Sequence, residues 1–261
     1  MESKDVIRSI AYSQHEILYN IMQMHNNGKP FDCDMTYSKG AFYGTFTVTT
    51  ITGEKKEVMI PEPKYKLDVA PQQEDTIRIE PLGDLPFEDN SIESIVFDPP
   101  FVISCGPSMN TPDYDENGNR VKNNMISRRF ASYYPVNQLL ESYFHWISEI
   151  KRVLKPDGIA VVKCQKTITG SKSLNSPEYL WFLGESIGLD QIDSFVLLAK
   201  ARLISGKVNV QQHSRRFESE FLVFKKSLKK KITYLDFANN ELIDTLLDGF
   251  KMNNISPKRK R

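Results

Sequence analysis

Apolar residues along this chain fall into short runs separated by polar turns, and their spacing changes from run to run. Between Ile7 and Met24 they recur at roughly helical spacing, at Ile10, Ile17, Leu18, Ile21, Met22 and Met24. Asn26-Asn27-Gly28 supplies a stop. The same spacing predicts a helix over 139–154, on Leu140, Phe144, Ile147, Ile150, Val153 and Leu154, closed by Lys155-Pro156-Asp157-Gly158. A further helix is predicted over 177–187. Compact apolar or β-branched runs predict strands at 30–34, 65–68, 76–79, 94–97, 159–163, 193–198 and 220–224. The stretch 45–60, rich in Thr, Val and Ile around Gly53, reads either as a hairpin or as an irregular insertion. No internal repeat is visible.

Strands alternating with helices imply βαβ units and an α/β fold with a mainly parallel sheet. Ligands of such sheets bind beyond the carboxyl ends of the strands. Asp34, Asp68, Asp84 and Asp98 all fall at or just after predicted strand ends, which predicts a crowd of acids on one edge. Each acid taken alone is also a common cap or turn residue.

Composition narrows the class. The chain has 261 residues, 40% of them hydrophobic and 26% charged, which suits one large α/β domain with small additions. The expected division is a single domain over 1–228, with a substrate-facing loop insertion at 102–135, and a C-terminal helical extension with a basic tail over 229–261. A formal charge of +1 excludes a whole-body polycation, so any basic surface is local. Cys33, Cys105 and Cys164 lie far apart, and His15, His25, His145 and His213 show no ligand spacing, so no metal is expected. Met1-Glu2-Ser3-Lys4-Asp5 leads into no long apolar stretch. The expectation is neither signal peptide nor membrane span, and a reducing cytoplasm.

The most specific chemistry lies at Asp98-Pro99-Pro100-Phe101, directly after the apolar run Ser94-Ile95-Val96-Phe97. Proline fixes its own φ and holds the residue before it extended. Two prolines after an acid therefore aim a carboxylate, two carbonyls and a ring in a preset direction. That set suits a planar amino group, whose N–H bonds the oxygens accept while the ring stacks on its plane. The same tetrapeptide can also be a strand-ending turn and nothing more, so its surroundings decide.

Those surroundings resemble the class I S-adenosylmethionine-dependent methyltransferases, specifically the amino-methyltransferases of nucleic acids, over roughly residues 30–225. Asp34-Met35-Thr36-Tyr37-Ser38-Lys39-Gly40 looks like a glycine-poor variant of the first, cofactor-holding motif. Asp68 matches the acid that commonly holds the ribose hydroxyls, and Gly83-Asp84-Leu85-Pro86-Phe87 the segment beside the adenine ring. Asp98-Pro99-Pro100-Phe101 is similar to the family's catalytic (Asp/Asn/Ser)-Pro-Pro-(aromatic) motif. Leu154-Lys155-Pro156-Asp157-Gly158 is similar to the turn feeding the fifth strand.

The resemblance implies a Rossmann-like methyltransferase fold with an antiparallel last strand and helices on both faces. It implies S-adenosyl-L-methionine as cofactor, held by Asp34, Thr36, Tyr37, Ser38, Gly40, Asp68, Asp84 and Leu85. Catalysis would fall to Asp98, Pro99, Pro100 and Phe101. The compact adenine-specific DNA methyltransferases of bacteria and their phages are the nearest likeness. A base inside a duplex would have to be flipped out to reach such a pocket.

Two basic regions fit a nucleic-acid partner, DNA favoured over RNA. Residues 102–135 form a long polar segment carrying Arg120, Lys122, Arg128 and Arg129, with Tyr114, Tyr133 and Tyr134 as stacking surfaces. Its Asp113-x-Asp115-x-Asn117-Gly118 imitates a calcium loop, but the twelfth position is Asn124 rather than Glu, and a hairpin turn at Asn117-Gly118 is the expectation. Arg215 and Arg216, in the loop entering an antiparallel last strand, are assigned to phosphate contact. An amphipathic helix near 235–250 either packs on the domain or pairs a homodimer. The expected activity is methyl transfer to adenine N6 in DNA. The alternatives are RNA methylation (adenine N6 or guanine N2) and a catalytically silent nucleic-acid-binding partner protein.

Overall fold

The computed structural model describes residues 6–103, 132–133, 136–169, 172–200, 214 and 216–227. The expectations for Arg120, Lys122, Arg128, Arg129, His213, Arg215, the 113–124 turn and the 229–261 extension lie outside the described residues.

The first described element is a two-residue strand, β1 (Ile10–Ala11), that the sequence pattern places inside the first helix. Helix α1 instead covers Gln14–His25, because Ser13 caps it: the His15 amide donates to Ser13 Oγ at 3.2 Å. Asn26 ends it, and the Asn26 side chain donates to the carbonyls of Lys29 and Pro30, steering the chain into β2 (Cys33–Asp34).

A hairpin follows, β3 (Gly44–Thr49) against β4 (Lys55–Ile60), which settles the 45–60 alternatives. Then come β5 (Tyr65–Asp68), β6 (Ile77–Arg78) and β7 (Ile92–Phe97). Strands β8 (Val102–Ile103) and β9 (Ser132–Tyr133) pair in parallel. Helix α2 spans Val136–Val153 and β10 spans Leu154–Cys164, with a register break between Leu154 and Ile159. The small pair β11 (Thr167–Thr169) and β12 (Lys172–Leu174), helix α3 (Ser176–Ile187), and strands β13 (Leu189–Leu198) and β14 (Glu218–Lys226) complete the described chain.

Among the described residues, eight strands form one sheet in the order β1-β13-β14-β10-β7-β2-β5-β6. Strand β14 runs antiparallel to both its neighbours, and the other pairs are parallel. From β2 the chain winds outward through β5 to β6; it then re-enters at β7 and winds the other way to β10. The switch point lies between β2 and β7, where a doubly wound sheet opens its crevice. The fold class is the expected Rossmann-like one, a mainly parallel twisted sheet with an antiparallel last strand and helices on both faces. The connections differ on one side of the switch point: β2 to β5 crosses through the β3–β4 hairpin, and β5 to β6 and β6 to β7 are joined by loops without a helix.

The sheet is covered on both faces. On one, α2 and α3 bury Ile147, Ile150, Leu180 and Leu183 against Ile95, Phe97, Ala160, Val162 and Phe224. On the other, α1 and the segment before the hairpin bury Ile17, Leu18, Ile21, Phe42 and Tyr43 against Val96, Val161, Phe221 and Val223. Each such aliphatic side chain contributes about 1.5–3 kcal/mol. The alternation within β7 and β10 is what divides Val96 and Val161 from Phe97 and Val162.

Candidate functional site

Register decides which strand-end residues meet. Asp34 pairs with Val96 and Val96 with Val161, so these three share the α1 face. Asp98 and Lys163 stand two residues beyond Val96 and Val161, which by the twofold period of a strand returns both to that face. Asp34, Asp98 and Lys163 therefore gather at the carboxyl edge, across the switch point.

Asp34 is wholly buried. Tyr43 donates its hydroxyl to Asp34 Oδ2 at 2.7 Å, and the Thr36 amide donates to Oδ1 at 2.8 Å. Burial pushes the carboxyl up to about 7; the bonds from Tyr43 and Thr36 pull the other way, and the Asp98 charge adds to the rise. With both oxygens engaged, Asp34 supports the loop that follows rather than presenting a surface of its own. The Tyr43 hydroxyl is in turn pushed well up by burial and by Asp34.

That loop runs from Met35 to Gly40. It is pinned by the Met35 amide on the Val96 carbonyl and the Tyr37 amide on the Leu67 carbonyl, both at 3.0 Å. The Tyr37 ring is buried and its hydroxyl donates to Glu62 Oε1. Ser38 and Gly40 both take positive φ, at 51° and 69°. A Cβ on Gly40 would stand 2.5 Å from the Tyr37 hydroxyl oxygen, so the turn needs glycine twice over.

Asp68, half-buried at the end of β5, accepts the Ser38 amide on Oδ2 and the Ala70 amide on Oδ1, both at 2.8 Å. Three of the four expected acids thus stand at the carboxyl ends of adjacent strands. The fourth does not join them: Asp84 is exposed on the turn between β6 and β7, where Leu85 is buried beside it. That turn is gripped from α2. His145 Nε2 lies 2.9 Å from the Gly83 carbonyl, Glu149 Oε2 accepts the Leu85 amide at 2.7 Å, and Arg152 donates to the carbonyls of Leu85 and Phe87 and to Asp89. Arg152 also pairs with Glu149, which holds that carboxyl below its ordinary range. The i, i+4, i+7 spacing of the three residues puts them on one helical face.

Asp98 follows β7 directly. Its amide donates to Thr36 Oγ1 at 2.8 Å, and its Oδ2 accepts Lys163 Nζ at 2.8 Å. Pro99 is buried; Pro100 and Phe101 are partly exposed. Lys163 is absent from the sequence-based expectations, being the last residue of an apolar strand. A signal for it exists: a lone cation ending Ile159-Ala160-Val161-Val162, in register to face the neighbouring strand's acid. His145, Glu149 and Arg152 carry no signal beyond a polar stripe on a helix.

Of the expected phosphate contacts, Arg216 is the described one. It is half-buried, and its Nε has no hydrogen-bond partner among the described residues. Beside it β14 begins with Glu218 and Glu220, and Lys166 pairs with Glu178 at 2.5 Å and approaches Glu220 at 3.9 Å, so that end of the edge is of mixed charge. A surface cleft lined by Lys29, Asp32, Lys64 and Glu93 opens at the opposite, amino-terminal edge, away from these acids. Among the described residues no group of three His, Cys, Asp or Glu is arranged to hold a metal, and no helix is long and apolar enough to cross a membrane.

No protein-family model and no curated protein matches the chain. Among solved structures, it is similar to a candidate DNA modification methylase from Thermus thermophilus complexed with S-adenosyl-L-methionine. The identity is 12% and the TM-score 0.34, over 56% of this chain and 50% of that one. It is also similar to a candidate sarcosine dimethylglycine methyltransferase from Galdieria sulphuraria, with 13% identity and TM-score 0.42 over 82% and 85% of the two chains. A third is a 1,6-didemethyltoxoflavin-N1-methyltransferase from Burkholderia thailandensis with bound S-adenosylhomocysteine, with 10% identity and TM-score 0.39 over 83% and 79%. The chain spans about half the length of the Thermus protein.

Proposed function

We propose that this chain is an S-adenosyl-L-methionine-dependent methyltransferase acting on an exocyclic amine of a nucleobase, with adenine N6 in DNA the favoured target. One observation carries the reading. Asp98 stands at the switch point with its backbone tied to Thr36 and one carboxylate oxygen tied to Lys163, and Pro99-Pro100-Phe101 follow at once. This is a tethered acceptor, followed three residues on by an aromatic residue, at the edge where such sheets bind ligands.

The neighbouring residues fit a nucleoside cofactor. Asp68 has both oxygens oriented by backbone amides yet stays half-exposed, an arrangement suited to a ribose diol. Ser38 and Gly40 bend the loop above it, and Asp84 and Leu85 supply the segment assigned to the adenine. S-adenosyl-L-methionine, when bound, supplies the activated methyl group.

The chain's own part is to hold the amine. Asp98 and the Pro99 carbonyl accept its two hydrogens, which draws the nitrogen lone pair out of conjugation with the ring. The carboxylate then stabilises the positive charge that develops on nitrogen, an interaction stronger in the transition state than in the ground state. Phe101 stacks on the base, a contact worth roughly 1–3 kcal/mol in single-strand sites. Arg215 and Arg216 are assigned to phosphate.

The test is methyl transfer from radiolabelled cofactor to unmodified DNA and RNA, with the product nucleoside identified by mass spectrometry. N6-methyladenine in DNA, lost in Asp98→Ala, is the expected result. Label in RNA alone would move the reading to an RNA methyltransferase. Calorimetry with no heat of cofactor binding would leave a silent nucleic-acid-binding protein.

A further inference from the structure

Lys163 is an unusual neighbour for a catalytic acceptor. Its Nζ lies 2.8 Å from Asp98 Oδ2 and 3.4 Å from Gln14 Oε1 at the start of α1. The ammonium also faces the rings of Phe42 and Phe221, at 5.2 and 5.7 Å from their centroids. Its side chain is only 14% exposed, and that of Asp98 is 23% exposed. The cation is therefore boxed by a carboxylate, an amide oxygen and two aromatic faces, each of which favours a positive charge there. Gln14 comes from α1, Phe42 from the loop before the hairpin, and Phe221 from the antiparallel strand. Three separate elements of the fold thus converge on one ammonium.

From this geometry we infer that Lys163 is a positioning residue for methyl transfer, acting through Asp98. The inference rests on the function proposed above.

The physical argument is one of orientation. The last torsion of an aspartate is broad and roughly twofold, so an untethered carboxylate samples many planes. Lys163 fixes the plane by holding Oδ2, while among the described residues Oδ1 accepts no hydrogen bond. One oxygen is the anchor and the other is the acceptor for an amine. Lys163 also offsets the charge of Asp98, the same charge that adds to the rise of the buried Asp34 carboxyl. The pair leaves the pocket close to neutral, which suits an uncharged aromatic amine better than a protonated alkyl amine.

The test compares Lys163→Met, which keeps the aliphatic stem between Phe42 and Phe221, with Lys163→Arg, which restores a cation. Lys163→Gln serves if the methionine variant does not fold. Each is assayed with radiolabelled S-adenosylmethionine and unmodified DNA, alongside calorimetric cofactor binding and thermal unfolding. Misplacing a catalytic group by about 1 Å costs on the order of 100-fold. The expected result is a fall in kcat of roughly 10- to 100-fold in Lys163→Met, cofactor affinity within about twofold, and recovery of several-fold in Lys163→Arg. A Lys163→Met enzyme with kcat within about twofold of an active wild type would overturn this inference alone. A loss of kcat that arginine does not restore would overturn it equally, marking Lys163 as a packing residue. A wild-type chain that methylates neither DNA nor RNA would overturn the underlying function as well.

Discussion

Thr36 and Asp98 are joined across the switch point of the sheet: the Asp98 amide donates to Thr36 Oγ1 at 2.8 Å, and the same hydroxyl donates to Asp34 Oδ1 at 3.3 Å. One side chain from the Met35–Gly40 loop thereby fixes where Asp98-Pro99-Pro100-Phe101 leaves β7. Thr36→Val keeps the shape and removes the hydroxyl. It should cost about 1 kcal/mol in urea unfolding, as expected for one lost hydrogen bond, and reduce methyl transfer by roughly tenfold or more. Thr36→Ser should retain most of both.

Asp34 makes stability depend on pH in an uncommon direction. Its folded-state value, pushed to about 7, lies above the ordinary carboxylate value of 3.8. The folded chain therefore binds the proton more tightly than the unfolded chain. The group's contribution is most favourable below about pH 4, falls as pH rises from there to about 7, and is level above. The fall is on the order of 4 kcal/mol, from the width of that window. Asp34→Asn should abolish this slope, so that the urea midpoints of variant and wild type change relative to each other between about pH 4 and 7 and run parallel above. Curves parallel across that window as well would refute the assignment.

What is legible in the sequence follows a simple physical line. Strands β5, β7, β10 and β14 and helices α1, α2 and α3 announce themselves because each buries an apolar face of its own. Strand β1 does not: two residues, Ile10 and Ala11, pair with Val196 and Leu197, and although Ala11 is buried, no side-chain period of two can form in so short a span. The apolar run of β10 begins at Ile159, whereas the structure pairs Leu154 with Ile92 before the bulge, since Asp157 at φ 63° and Gly158 carry the chain past the Glu93 carbonyl. At the site, Asp34, Asp68 and Asp98 stand out because acids after apolar runs are conspicuous. The structure redistributes their work, sealing Asp34 beneath Tyr43. Lys163 is recognisable only once the strand register is known.

Arg152 is the centre of the grip on the turn that carries Asp84 and Leu85. Arg152→Leu would leave Glu149, 11% exposed, without its cation and free three acceptors of the turn. The expected outcome is a loss of about 1–3 kcal/mol in stability, the cost of an unpaired buried polar group. Amide exchange should quicken at residues 83–89. Cofactor affinity should weaken severalfold while saturated turnover stays nearly unchanged. A change in turnover alone would argue against this placement.

Gly40 and Gly53 form a matched pair for measuring backbone strain. Both have positive φ, 69° and 87°, but a Cβ on Gly53 meets nothing within 4 Å, whereas on Gly40 it meets the Tyr37 hydroxyl. Gly53→Ala should cost about 1 kcal/mol. Gly40→Ala should cost a further 1–3 kcal/mol or so, the usual range for overpacking, and should loosen cofactor binding as Tyr37 is displaced from Glu62. Calorimetric unfolding of the two variants gives the difference directly.

The antiparallel strand has a consequence for how such a scaffold can change its target. Because β14 returns between β10 and β13, the end of β13 and the start of β14 lie together on the edge that bears Asp98, and the Ala199 amide closes on the Phe217 carbonyl at 2.7 Å. Among the described residues, β13 and β14 are paired along their length up to that clasp. Sequence inserted between the two residues would be borne by that edge, while the described pairing of β14 with β10 and β13 runs from residue 218 onward. A lineage can therefore revise what its chemistry is pointed at without renegotiating how it folds.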